Sequence, residues 1–217
     1  MSSTRTNFTV LMIGAAILMM GQGLLVTLLP VRGALEGLST TWIGYMGSAY
    51  YGGFAIGCLI GPGMIRNVGH IRVFAGFAAL TAAATLLFEL LPSQWAWVAT
   101  RGFTGVCFAI LSMAIESWLN ELSNNKNRGR ILSVYIIVGN IMIASGQLML
   151  NLRDPASSTL FILGALMICI SLAPISLSTI TEPSAPPSAK LRIGALYKLS
   201  PVGFVGCLAF GLVDGSF

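Results

Sequence analysis

The sequence predicts an all-α membrane protein. It has six membrane-crossing helices, arranged as three plus three in an inverted repeat, and the start of a seventh. Three observations carry this reading. Residues of the AVILMFWYC set make up 55% of the 217, and 25 glycines raise the apolar-plus-glycine share to about two-thirds. Charged residues are 9%, against about 25% in a soluble domain. Six apolar runs are each long enough to cross the roughly 30 Å of hydrocarbon at 1.5 Å per residue. A soluble fold would need a polar face on every surface element, so a soluble globular domain, a disordered chain and a nucleic-acid module are all excluded.

The crossings are expected at residues 8–30, 42–65, 73–91, 95–119, 131–152 and 159–180. Residues 1–180 form the six-helix bundle. Residues 181–201 hold TEPSAPPSAK, a stretch that cannot stay helical and reads as a linker. Residues 202–217 begin a seventh crossing that stops short of spanning, so the chain is expected to be a fragment. The first apolar run is too long for a signal-peptide core, and further runs follow it.

The positions of the basic residues give an orientation. With the N-terminus inside, Arg5, Arg66, Arg72, Lys126, Arg128, Arg130, Lys190, Arg192 and Lys198 fall on inner segments, whereas only Arg32 and Arg153 fall on outer ones. Positive charge concentrates on the cytoplasmic side of membrane proteins. The N-terminus and the linker are therefore expected in the cytoplasm, and the +5 net charge reflects topology. Trp42, Trp95 and Trp97 sit at outer ends of crossings, where aromatic belts lie.

Polarity differs among the crossings. The third and sixth are Ala, Leu, Ile, Phe and hydroxyl residues, with Glu89 near an end, and are expected at the periphery. The first, second, fourth and fifth carry Gln22, Tyr50 and Tyr51, Arg101, Glu116, Asn140 and Gln147. Amides and charges are costly in hydrocarbon, so these should face protein or a wet cavity. Gly53, Gly57 and Gly61 repeat every four residues on the second crossing and read as a helix-packing face. A weak internal echo sets Gly61-x-x-Met64 beside Gly146-x-x-Met149.

The remaining polar groups divide between structural and functional roles. Arg101 lies well inside the fourth crossing, where it would bind an anionic group or pair with a protonatable acid. Asp214 would sit near the midplane of the seventh, on a proton pathway. Glu116, near the inner end of the fourth, is expected to pair with Arg66 or Arg72 and close an inner gate. His70 reads as a loop residue at the surface. The cysteines Cys58, Cys107, Cys169 and Cys207 each lie in an apolar run, with no CxxC and no Cys/His cluster, so no metal or other cofactor is expected.

At the second connector the sequence reads GPGMIRNVGHIRVF. This resembles the signature loop of the major facilitator superfamily, with Gly69 at its second glycine. Arg66 stands where that loop carries Asp, Asn67 at its first basic position, and His70 and Ile71 at its later ones. RGFTG fits the superfamily's R-x-x-x-G pattern through Arg101 and Gly105. GNIMIASG occupies the place of the antiporters' Gly-Pro-rich run, without the proline. ESWLNELSNNKNRGR is similar to the uncharacterised YcaD-like branch. The resemblance implies the N-terminal half of a twelve-span secondary transporter in the cell membrane, the inner one if the cell is bacterial. Such a protein would move a small solute by alternating access, with protons as a candidate coupling ion, and would require a second six-helix half. An intramembrane enzyme is disfavoured, because no histidine lies in a crossing and HExxH is missing. A channel or a non-transporting membrane scaffold is the alternative, although no filter-like loop is present.

Overall fold

A computed structural model of the chain describes residues 2–91, 93–124, 126–177, 200–202 and 205. Its elements are α1 (Ser2–Leu35), α2 (Thr40–Val68), α3 (His70–Leu90), α4 (Gln94–Glu121) and α5 (Arg128–Leu148), which runs on as the 3-10 turn Met149–Leu152. α6 (Thr159–Ile170) and α7 (Leu172–Ser176) follow. No strand occurs among the described residues.

Five segments are long and apolar enough to cross a membrane: α1 from Asn7, α3, α4, α5 with its 3-10 turn, and α6 with α7. α2 has the length, at 29 residues, and stands outside that set. Its glycines and its tyrosines Tyr45, Tyr50 and Tyr51 dilute the aliphatic content that the other helices have. The sixth crossing is interrupted at Ser171, whose Oγ donates to the Ile168 carbonyl at 2.6 Å, so a residue that bonds back to its own helix marks the break between α6 and α7. The chain divides into two units, Met1–Pro186 and Pro187–Phe217. Most of the expected linker, most of the expected seventh crossing and Asp214 lie outside the described residues; Pro201, Val202 and Val205 are helical.

Two glycines with positive φ set the connections. Gly37 (φ 79°) ends α1, and Gly69 (φ 97°) separates α2 from α3. L-residues rarely adopt such angles, so glycine is required at both. Because the α2–α3 turn is a single residue, His70 becomes the first residue of α3 rather than part of a loop.

The packing follows a pattern. α2 lies along α4, and α1 lies along α5; these are the two most extensive contacts. α3 packs on α4 and α6, and α6 packs on α1 and α3. Exchanging α1 with α4, α2 with α5 and α3 with α6 maps this pattern onto itself. The core between them holds Leu11, Leu18, Leu25 and Leu28 of α1, Phe74 of α3, Phe108 and Trp118 of α4 and Phe161 of α6. In a membrane this packing gains little from the hydrophobic effect and rests on close van der Waals contact.

Glycine supplies the closest contacts. A Cβ on Gly53 would overlap the carbonyl oxygen of Gly102, and one on Gly105 would overlap that of Tyr50. At the α1–α5 crossing, a Cβ on Gly146 would overlap the carbonyl of Met20, and one on Gly23 that of Ile143. Both helix pairs are thus locked by reciprocal glycine-to-backbone contacts in the same register. Adding 82 takes Met20 and Gly23 to Gly102 and Gly105; adding 93 takes Tyr50 and Gly53 to Ile143 and Gly146. The packing therefore matches Gly146 with Gly53, and not with Gly61 as the sequence echo suggested. Gly57 approaches the Val106 carbonyl (2.6 Å to a Cβ), while Gly61 meets side chains only, those of Met113 (3.1 Å) and Ile110 (3.4 Å).

Candidate functional site

The α2–α4 crossing builds a polar site. Gly102 and Gly105 let the backbone of α2 settle against α4, and the Tyr50 carbonyl rests on Gly105. Its ring then lies over the neighbouring Arg101, with the guanidinium carbon 4.1 Å from the ring centroid. Arg101 is 8% exposed and Tyr50 also 8%. Arg101 is seven residues into α4, about 10 Å from the helix end. Its carbonyl accepts from Thr104 Oγ1 at 2.9 Å.

α1 completes the cluster. Gln22, 6% exposed, donates through Nε2 to the Tyr50 hydroxyl at 2.7 Å. Its Oε1 is buried without a hydrogen-bond partner. Tyr51 stands edge-on to Tyr50, with centroids 5.4 Å apart, and is 47% exposed. Among the described residues no carboxylate lies within 4 Å of Arg101; the ion pairs there are Arg32–Glu36 and Arg32–Glu89. The site is thus a buried positive charge, an aromatic face and an unmet amide oxygen at the junction of three helices.

Of the expected pathway residues, Gln22 and Arg101 come together and Asn140 and Gln147 do not. Both α5 amides are exposed. α5 is the least covered of the five apolar segments, 17% buried along its most apolar stretch against 61% for α4 and 44% for both α3 and α6 with α7. α5 packs chiefly on α1, so its polar side stays uncovered, and within this chain α3 and α6, expected at the periphery, are better covered than α5 and less covered than α1 and α4. Tyr50 is the residue that sequence reasoning left out of the site. Its signal was its position three residues before Gly53, which puts it at the point where α2 meets α4.

The end expected to be inner does not form the expected ion pair. Arg66, Arg72 and Glu116 are all exposed, and Glu116 forms no ion pair with either arginine at 4 Å or less; the described ion pairs are both at Arg32. α4 presents the Glu116 carboxylate at the open surface of the bundle, where neither arginine holds it within 4 Å. The tie between the connector and α4 comes instead from His70. It is 1% exposed, with Nε2 3.0 Å from Ser117 Oγ and its ring 6.0 Å from that of Trp118. The surface placement expected for His70 is therefore corrected, because Gly69 turns the chain so that the imidazole drops onto α4. His70→Ala should lower the stability of the chain by about 1–3 kcal/mol through the cavity and the lost bond. Arg66→Ala and Glu116→Gln should each change it by no more than about 0.5 kcal/mol. Unfolding curves of the three variants in detergent check the ranking.

The end of the bundle expected to be outer carries its own polar tie. Arg32 reaches Glu36 at 2.9 Å and Glu89 at 3.5 Å, and donates to the Pro155 carbonyl at 3.3 Å. Ser158 Oγ donates to Glu89 at 2.7 Å. α1, α3 and the α5–α6 connection are thereby joined at one end of the bundle.

Comparison with known proteins agrees with this architecture. The model of the Major Facilitator Superfamily matches residues 11–216. An uncharacterised MFS-type transporter of Enterobacter sp. (strain 638) is 27% identical over 220 residues, covering 100% of this chain and 57% of the relative. The uncharacterised MFS-type transporter YcaD of Escherichia coli O139:H28 is 27% identical over 218 residues, with the same coverage. YcaD of Escherichia fergusonii is 27% identical over 208 residues, covering 95% of this chain and 54% of the relative. The chain thus spans little more than half the length of these relatives.

Proposed function

The chain belongs to the Major Facilitator Superfamily, and from that premise we propose that it is the N-terminal half of a secondary active transporter. It moves a small solute across the cell membrane by alternating access, with protons as a candidate coupling ion. The observation that carries the reading is the Gln22–Tyr50–Arg101 cluster. A charged side chain placed deep in a crossing is costly and marks a substrate or ion pathway. Here it is held by three helices and left without a described counter-charge.

The architecture supports the same reading. The contact pattern and glycine register repeat when the first three helices are exchanged with the second three. An odd number of crossings per repeat inverts the second copy in the membrane, as in many transporter folds. Counting α2 with the five apolar segments brings the crossings to six, its glycines being occupied by close approach to α4. The uneven distribution of Lys and Arg puts the N-terminus in the cytoplasm. The relatives' additional length leaves room for a second half, which would cover the open side of the cluster.

Counterflow tests this reading. Proteoliposomes loaded with an unlabelled metabolite pool, carrying the chain joined to a second six-helix half, should take up at least one labelled solute transiently above equilibrium and with saturation. The 217-residue chain alone should give none. Uptake that neither saturates nor overshoots would assign a channel, and robust counterflow by the chain alone would remove the need for a second half.

A further inference from the structure

We propose that the cluster of Gln22, Tyr50 and Arg101 takes an organic monoanion, a carboxylate on an apolar ring-sized body that also carries a hydrogen-bond donor. The proposal rests on the transporter reading and narrows its substrate class. Three features of the cluster lead to it.

The first is charge. Arg101 is more than nine-tenths buried and meets no described carboxylate. A buried charge without a partner is held at a large desolvation cost, which a cationic ligand would raise and a neutral one would leave in place. An anion offsets it. The second is shape. Tyr50 covers one face of the guanidinium, which leaves the planar edge with its paired N–H donors as the binding surface. That edge matches the two oxygens of a carboxylate. The third is the unmet acceptor. Gln22 spends its Nε2 on Tyr50, which leaves Oε1 buried with nothing to accept from. A hydroxyl or N–H on the ligand satisfies it after a small shift of the amide. Tyr51, at right angles to Tyr50 and half exposed, gives the ligand's body an aromatic wall.

An isosteric series tests the proposal: 3-hydroxybenzoate, 3-hydroxybenzamide and 3-hydroxybenzylammonium, which differ in charge and little in shape. Binding to the chain in lipid nanodiscs is read by isothermal titration. The expected result is saturable binding of the benzoate alone, weakened at least about tenfold in Arg101→Gln and partly kept in Arg101→Lys. Removing the hydroxyl, by using benzoate itself, should weaken binding in the wild type and not in Gln22→Leu. Equal binding of the amide or the ammonium compound would overturn the proposal. So would benzoate binding that ignores Arg101→Gln, or binding that appears only after Asp214→Asn, which would assign the arginine to the chain's own carboxylate. The transporter reading is tested separately by counterflow. Anion binding without counterflow leaves this site standing and removes the transport function. Counterflow of a cation or neutral solute that survives Arg101→Gln does the reverse.

Discussion

Gly53→Ala and Gly146→Ala should each leave little folded protein, while Gly52→Ala and Gly44→Ala should be tolerated or mildly stabilising. All four changes add one methyl group to a glycine inside a long helix, and the difference lies in what the methyl meets. At Gly53 it meets the carbonyl of Gly102, and at Gly146 that of Met20; at Gly52 and Gly44 nothing lies within 4 Å. Overpacking against side chains costs about 1–3 kcal/mol because rotamers can give way. A backbone carbonyl cannot rotate aside, so the two helices must separate along their whole crossing. In lipid that separation removes the close packing that holds the pair together. The cost should therefore exceed about 3 kcal/mol at the two closed positions. At the open ones the helix gains roughly 0.5–1 kcal/mol from losing a glycine. The yield of monodisperse protein and unfolding in SDS distinguish the two groups. Similar stability for Gly53→Ala and Gly52→Ala would show that α2 and α4 do not touch at their backbones.

The same glycines show how far the sequence could be read. Gly53, Gly57 and Gly61 announce a packing face because they recur at helical spacing. Which of them meets backbone depends on where the helices cross, and spacing does not encode that. Gly23 and Gly146 make contacts as close as Gly53 does, yet stand in no ladder, so α1–α5 gave no comparable signal. The internal repeat lies in the register of these contacts, and residue identity hides it. Glycine and tyrosine at positions 53 and 50 correspond to glycine and isoleucine at 146 and 143.

Charge was legible in part for a related reason. Arg101 stands out because a guanidinium deep in an apolar run has few places to go, and its burial follows from that. The partner that covers it, Tyr50, is distant in sequence and joins through the α2–α4 crossing. Glu116 and His70 went the other way. The expected pair between Glu116 and the arginines assumed that an acid in an apolar run must be buried, whereas its face of α4 is open. A short basic connector around Gly69 predicts a loop position for His70. A single glycine with φ 97° makes the turn, and nothing in the neighbouring residues reports that angle.

Arg101→Met should make the protein more stable and much less active. Methionine keeps an unbranched side chain of comparable reach and removes the charge. Placing arginine deep in a membrane helix costs about 2.5–3.5 kcal/mol on insertion scales. The contact with Tyr50 returns about 0.5–2 kcal/mol as a cation–π interaction. No described carboxylate adds to that return. The balance favours methionine by roughly 1–2 kcal/mol, in line with other buried charges replaced by apolar residues. On the proposed reading, a charge held at such a cost in the resting protein is held for what it binds. Losing a charge-assisted hydrogen bond of about 1.5–3 kcal/mol should lower counterflow by about ten- to a hundredfold. Arg101→Lys separates charge from shape: it should retain anion binding in weakened form, since an ammonium offers no planar edge to a carboxylate and lies less well against Tyr50. The measurements are unfolding free energy of the three proteins and counterflow of the same three joined to a second six-helix half. Destabilisation by Arg101→Met of more than about 2 kcal/mol would identify the arginine as a structural element, and the loss of transport would then follow from unfolding.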